Sequence, residues 1–182
     1  VALDIEDILK LVGPVKKNEE LIWERANEIA APHKFTITDR IKRTYTVPSL
    51  QPSKEEPPVP KITFDVNVKI TAAELQEIIA AAAKTSEQIR ITAKNEQITF
   101  DTVSDSGSFT VTLQKRDEPI VKYEVQKEST ALFGLSFLND IVKASAKLSS
   151  LITISFSQDR PIKVQPDLLQ GTLEYYLAPR IE

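Results

Sequence analysis

One six-position pattern occurs three times along the chain: apolar, polar, acidic, apolar, apolar, variable. The copies are Ile5-Glu6-Asp7-Ile8-Leu9-Lys10, Leu75-Gln76-Glu77-Ile78-Ile79-Ala80 and Leu138-Asn139-Asp140-Ile141-Val142-Lys143. Their starts lie 70 and 63 residues apart. Apolar positions at i, i+3 and i+4 fall on one side of a helix, so each copy predicts an amphipathic helix. Asp4 is expected to cap the first, Thr71 with Glu74 to form a capping box on the second, and Ser136 to cap the third.

Three short strand-like runs follow each helix. After the first they are Leu21–Arg25, Lys34–Thr38 and Arg43–Val47. After the second they are Gln88–Ala93, Gln97–Val103 and Ser108–Leu113. After the third they are Leu151–Phe156, Pro161–Gln165 and Gly171–Leu177. Ile89, Ile91 and Ala93 alternate with polar residues, as do Ile152, Ile154 and Phe156, so each of these strands has one buried face. A further strand precedes two of the helices, at Ile62–Ile70 and Ile120–Gln126. The repeating unit is therefore β-α-β-β-β. Two copies forming one continuous sheet, with both helices on one side, would cover the open edge and the apolar helix face of each.

The run 48–60 holds five prolines in 13 residues and cannot sustain a helix or a central strand. It reads as a stiff connector. The expected organisation is half of a domain at 1–47, the connector at 48–60 and a complete two-copy domain at 61–182.

Composition narrows the chemistry. The 182 residues contain no Cys, which removes disulfides and thiolate sites, and no Met, so Val1 is not expected to be the natural start. A net charge of −3 argues against a uniformly basic nucleic-acid binder but allows one locally basic face. Four Gly residues are too few for a phosphate-cradling loop, and no Walker or dinucleotide motif is present. The single His, His33, follows Pro32 and reads as a surface loop residue; Trp23 reads as core or edge packing. No catalytic residue, metal site or cofactor is expected, and no apolar run is long enough to span a membrane.

The C-terminal third carries a specific resemblance. Leu148-Ser149-Ser150, Leu151-Ile152-Thr153-Ile154-Ser155-Phe156-Ser157, Asp159-Arg160-Pro161 and the ending Tyr175-Tyr176-Leu177-Ala178-Pro179-Arg180-Ile181-Glu182 resemble the proliferating cell nuclear antigen family, the DNA polymerase sliding clamps of archaea and eukaryotes. Ser136-Phe137-Leu138-Asn139 and the Pro-rich connector fit as well. The resemblance covers the whole chain and implies that about 60 residues of the first domain, one repeat length, are absent before Val1. It implies an α+β DNA-clamp fold with sheets outside and helices lining a ring around double-stranded DNA, and no enzymatic activity. It also implies a homotrimer or heterotrimer of clamp subunits, and partners such as DNA polymerase, the clamp loader, a flap nuclease and DNA ligase. A specialised checkpoint-type ring subunit is the alternative within the family. The location implied is cytoplasmic and nucleoid-associated in an archaeon, or nuclear in a eukaryote; the many Glu, Lys and Ile residues and the short C-terminus favour the archaeal source.

Site residues follow from the resemblance and the repeat together. Sliding requires weak, sequence-independent attraction to phosphates. Lys10 and Lys143 share the sixth pattern position, and Lys84 and Lys147 share the position four residues later; both lie opposite the apolar stripe. Ala80 thins this lining in the second copy, while Lys16, Lys17, Lys42 and Arg43 are lesser contributors. The resemblance places the pocket for clamp-binding peptides at Leu50, Pro52, Pro161, Tyr176, Ala178 and Pro179. Ser49 and Pro52 make its rim less apolar than the common family pattern. It places ring closure at two edge strands, Ile41–Val47 with Arg43 and Tyr45, and Ser108–Leu113 with Phe109 and Val111.

Overall fold

Asp4 starts the first helix by accepting hydrogen bonds from the backbone N–H groups of Glu6 (2.8 Å) and Asp7 (3.2 Å). The computed structural model describes residues 3–28, 31–50, 62–104 and 107–181. The chain divides into two units, Val1–Pro60 and Lys61–Glu182.

In the first unit, α1 (Ile5–Val12) ends at Gly13, whose φ of 64° suits a residue without a Cβ. A three-stranded antiparallel sheet follows, in the order β1 (Glu20–Arg25), β2 (His33–Thr38), β3 (Lys42–Val47). Phe35, Ile37 and Val47 are buried, but the apolar stripe of α1 is not: Ile5 is 70% and Leu9 65% exposed. His33 corrects the surface-loop expectation. It lies inside β2 and is fully buried, with its Nδ1 accepting a hydrogen bond from Trp23 Nε1–H at 3.0 Å. Alternation along β2 turns His33 inward with Phe35 and Ile37. Trp23 stays 58% exposed on the edge strand β1, stacked on Phe35 at 5.6 Å between ring centroids.

The second unit contains β4 (Val66–Thr71), α2 (Ala72–Ala82), β5 (Gln88–Ala93), β6 (Gln97–Ser104), β7 (Gly107–Gln114), β8 (Ile120–Val125), β9 (Ser129–Gly134), α3 (Leu135–Leu148), β10 (Leu151–Phe156), β11 (Ile162–Pro166) and β12 (Tyr175–Leu177). Its strands form two sheets, β12-β11-β10-β4-β8 and β7-β6-β5-β9, not one continuous sheet. The leading strands are exchanged. β4 opens the first copy but pairs with β10 of the second, and β9 opens the second copy but pairs with β5 of the first. Each helix therefore crosses from one sheet to the other. Nine twisted strands in one layer would curl away from the helices they must cover, and two smaller sheets avoid this.

Strand β9 replaces the expected leader Ile120–Gln126, which is β8 and pairs instead with the outer side of β4. The inward residues of β9 are Ser129, Ala131 and Phe133. Two small side chains mute the alternation that marks a strand. The strand expected at Gly171–Leu177 is confined to Tyr175–Leu177.

Both cap expectations in this unit need correction. Thr71 is the N-cap of α2 but its side chain makes no cap hydrogen bond. The third helix starts two residues early, after its N-cap Gly134, so Ser136 lies inside it. The apolar stripes of these helices are buried as the pattern demands: Leu75, Ile78 and Ile79 on α2, Leu138 and Val142 on α3. They close over Ile89, Ile91 and Phe100 from one sheet and Ile152, Ile154 and Phe156 from the other.

Candidate functional site

The helices α2 and α3 pack side by side, each leaving one face to solvent. Lys143 and Lys147 lie on the exposed face of α3. Lys84 is exposed in the turn just beyond α2, which ends at Ala82. In the first unit Lys10 is exposed on α1, 3.7 Å from Glu6 one turn earlier. All four lysines thus reach water, but exposed acids share their faces: Glu6 and Asp7 on α1, Glu77 on α2, Asp140 on α3. The helix faces therefore carry a nearly balanced charge. Phe137, 64% exposed on α3, adds an apolar group that the spacing did not single out.

The hairpin β11–β12 positions Tyr176. Alternation turns Tyr175 and Leu177 toward the core and Tyr176 to the outward face. There Tyr176 is paired in register with Lys163. The Tyr176 hydroxyl donates to Glu174 Oε2 at 2.9 Å, and Lys163 Nζ donates to Glu174 Oε1 at 3.1 Å. Lys163 Nζ also sits 5.7 Å from the centre of the Phe64 ring. The Tyr176 hydroxyl first, and Lys163 second, hold the Glu174 carboxyl below the usual carboxylate range. Burial first, and the bond to Glu174 second, push the Tyr176 phenol up.

Pro161 and Pro179 are half-buried and Ala178 is exposed. Pro179 lines a cavity of about 380 Å³ with Arg90, Thr130, Leu132, Gln158 and Arg180. The Arg180 N–H donates to Leu132 C=O at 2.7 Å, so the C-terminal segment covers the free edge of β9. In the first unit Leu50 is 47% exposed. Pro52 lies outside the described residues. Sequence reasoning missed Phe64, Lys163 and Glu174. Only the β11–β12 register brings Lys163 to Tyr176, and no spacing in the sequence encodes that register.

The two expected edges are sheet edges: β3 closes one side of the three-stranded sheet and β7 one side of the four-stranded sheet. Phe109 and Val111 on β7 pack against their own core, leaving Ser108, Thr110, Thr112 and Gln114 exposed. On β3, Tyr45 is half-buried, and the exposed Arg43 pairs with Glu19. Backbone N–H donation from Lys16, then Arg43, holds the Glu19 carboxyl below its usual range. Among the described residues no group of three or more His, Cys, Asp or Glu is placed to hold a metal ion.

Residues 58–181 match the family described as "Proliferating cell nuclear antigen, C-terminal domain". The chain belongs to the proliferating cell nuclear antigen family. It is 27% identical over 181 residues to the DNA polymerase sliding clamp 1 of Pyrobaculum aerophilum, covering 99% of this chain and 72% of that protein. Among solved structures, the proliferating cell nuclear antigen of Thermococcus kodakaraensis superposes with a TM-score of 0.84 at 19% identity, over 97% of this chain and 72% of that one. The PCNA2–PCNA3 complex of Sulfolobus tokodaii gives 0.83 at 26% identity, over 98% and 72%. Membership accounts for the α+β fold, in which each sheet of the second unit draws strands from both copies of the repeat.

Proposed function

We propose that this chain is a subunit of a DNA sliding clamp, a ring that encircles duplex DNA, holds a DNA polymerase to its template and tethers replication and repair proteins. The observation that carries the reading is the family match over 58–181 on a unit that presents Lys143 and Lys147 on α3, and Lys84 just beyond α2, to solvent. Exposed lysines attract phosphates without reading bases. The acids beside them keep that attraction weak, which suits a ring that must move. The chain works as a platform and catalyses no reaction of its own.

Ring closure uses the backbone edges of β3 and β7, each of which leaves donors and acceptors for a neighbouring subunit. The family resemblance implies a ring of three subunits, built from one chain type or several. The Sulfolobus tokodaii neighbour, a complex of two differently numbered clamp chains, makes the mixed ring a real option. DNA polymerase, clamp loader, flap nuclease and DNA ligase dock through short peptides with apolar and aromatic anchors. On the second unit their site comprises Pro161, Tyr176, Ala178 and Pro179. No helix among the described residues is long and apolar enough to cross a membrane.

The test is primer extension on a long template by a family-B DNA polymerase, with the clamp ring assembled from this chain and any related chains of its source. Products lengthen when the ring is present. Product lengths that do not respond to it overturn the reading. Analytical ultracentrifugation of the same mixture should give a three-subunit species.

A further inference from the structure

Tyr176 is tied to a polar set that the family pattern did not lead us to expect. On the outward face of the five-stranded sheet, Tyr176, Lys163, Ser155 and Asn67 form one cross-strand row, paired in register across β12, β11, β10 and β4. Ser155 is only 1% exposed although it lies on the outward face. The segment entering β4 is pinned there: the Asp65 N–H donates to Ser157 Oγ at 2.9 Å, and Asp65 C=O accepts from the Gln126 N–H at 2.7 Å. This pinning sets the Phe64 ring near Lys163. Side chains of Lys163 and Glu174 are 18% and 29% exposed, so the ion pair is substantially withdrawn from water.

A half-withdrawn ion pair adds little to stability, because desolvation offsets the attraction. Its local effect is geometric. Lys163 has its ammonium between the Phe64 ring and Glu174. Glu174 has one oxygen on Lys163 and the other on the Tyr176 hydroxyl. A tyrosine at a sheet surface otherwise samples several ring orientations; this one has its hydroxyl fixed at the far end.

We propose that Glu174 is a positioning residue of the peptide-docking site: anchored by Lys163, it holds the Tyr176 hydroxyl and so fixes the ring against which an aromatic anchor of a partner peptide packs. The proposal rests on the reading of this chain as a clamp that binds such peptides. A ring fixed beforehand lowers the ordering cost on binding. The occupant is a peptide with adjacent aromatic side chains, which lies along the Tyr176 ring and leaves the ion pair intact beneath it.

The experiment is calorimetric titration of the full chain with a synthetic clamp-binding peptide bearing two aromatic anchors. The wild type is compared with Tyr176→Phe, Glu174→Ala, the double variant and Glu174→Gln. Tyr176→Phe and Glu174→Ala should each weaken binding about fivefold, the worth of one hydrogen bond, and the double variant no further. Glu174→Gln, which keeps an acceptor oxygen, should retain most of the affinity. Thermal midpoints should stay close to that of the wild type. Wild-type binding that is unaltered in Tyr176→Phe and Glu174→Ala, or that weakens additively in the double variant, overturns the proposal and leaves the docking site standing. No binding by the wild-type chain overturns the docking site and this proposal together.

Discussion

Trp23 donates its indole N–H to Nδ1 of the buried His33 across the β1–β2 pair. The bond fixes the tautomer, since an accepting Nδ1 leaves the imidazole proton on Nε2. That Nε2 is buried without a partner among the described residues. An unpaired buried donor is costly, and an apolar residue of similar size removes the cost. His33→Leu should therefore change stability by no more than about 1 kcal/mol, the lost bond and the removed donor offsetting each other. Trp23 is the only tryptophan, so urea unfolding followed by its emission reads the first unit selectively. A loss of several kcal/mol would mean that Nε2 does have a partner.

Tyr123 predicts an alkaline weakness. Its buried hydroxyl donates toward the carbonyls of Lys94 and Gln97. Burial, then the charge of Glu96, pushes its pKa up to about 12. The folded chain thus keeps the proton where the unfolded chain, with an ordinary tyrosine pKa near 10, has lost it. Stability is fully present below about pH 10 and falls as pH rises toward about 12. Tyr123→Phe should flatten that part of the pH–stability curve, at the cost of about 1 kcal/mol at neutral pH. Thermal melts between pH 9 and about 11.5 check both effects. An unchanged slope would locate the alkaline sensitivity elsewhere.

Charge on the helix faces makes a two-sided prediction. Replacing Lys84, Lys143 and Lys147 by Gln should shorten clamp-dependent extension products. It should also lower the salt slope of DNA binding by about 0.9 for each lysine that meets a phosphate. Replacing Glu77 and Asp140 by their amides should do the reverse, strengthening DNA binding and slowing diffusion along the duplex. Single-molecule tracking on stretched DNA measures the second effect. Equal behaviour of both sets would remove these faces from DNA contact.

Equivalent repeat positions should differ in cost. Ile79 and Leu9 occupy the same place in the repeated pattern, yet Ile79 is fully buried and Leu9 is 65% exposed. Ile79→Ala should cost about 2–5 kcal/mol, whereas Leu9→Ala should stay within about 0.5 kcal/mol, the usual range for an exposed site. Chemical denaturation of the two variants separates the cases.

Periodicity made the helices and most strands legible, because burial on one face leaves a 3.6- or 2-residue signal. It failed where small residues line the inward face, as Ser129 and Ala131 do in β9, and where a polar residue is buried by its neighbours, as His33 is. The sheet count was also hidden: local pattern says which face of a strand is buried but not which strand lies beside it. The exposure of Lys10, Lys84, Lys143 and Lys147 was legible because the repeat sets which helix positions face away from the apolar stripe. Lys163 and Glu174 were not, because their meeting with Tyr176 depends on hairpin register and not on spacing.

The exchange of β4 and β9 between the two copies has a consequence for how the second unit is held together. Neither copy can complete its own sheet, so each is an incomplete fragment that the other finishes. The two are interlocked like clasped hands, and unfolding one should strip a strand from the sheet of the other. A backbone cut in the turn between β7 and β8 should leave β4–β7 and β8–β12 unstructured in the separated pieces and restore them only on mixing. Circular dichroism of the separated and recombined pieces would show it.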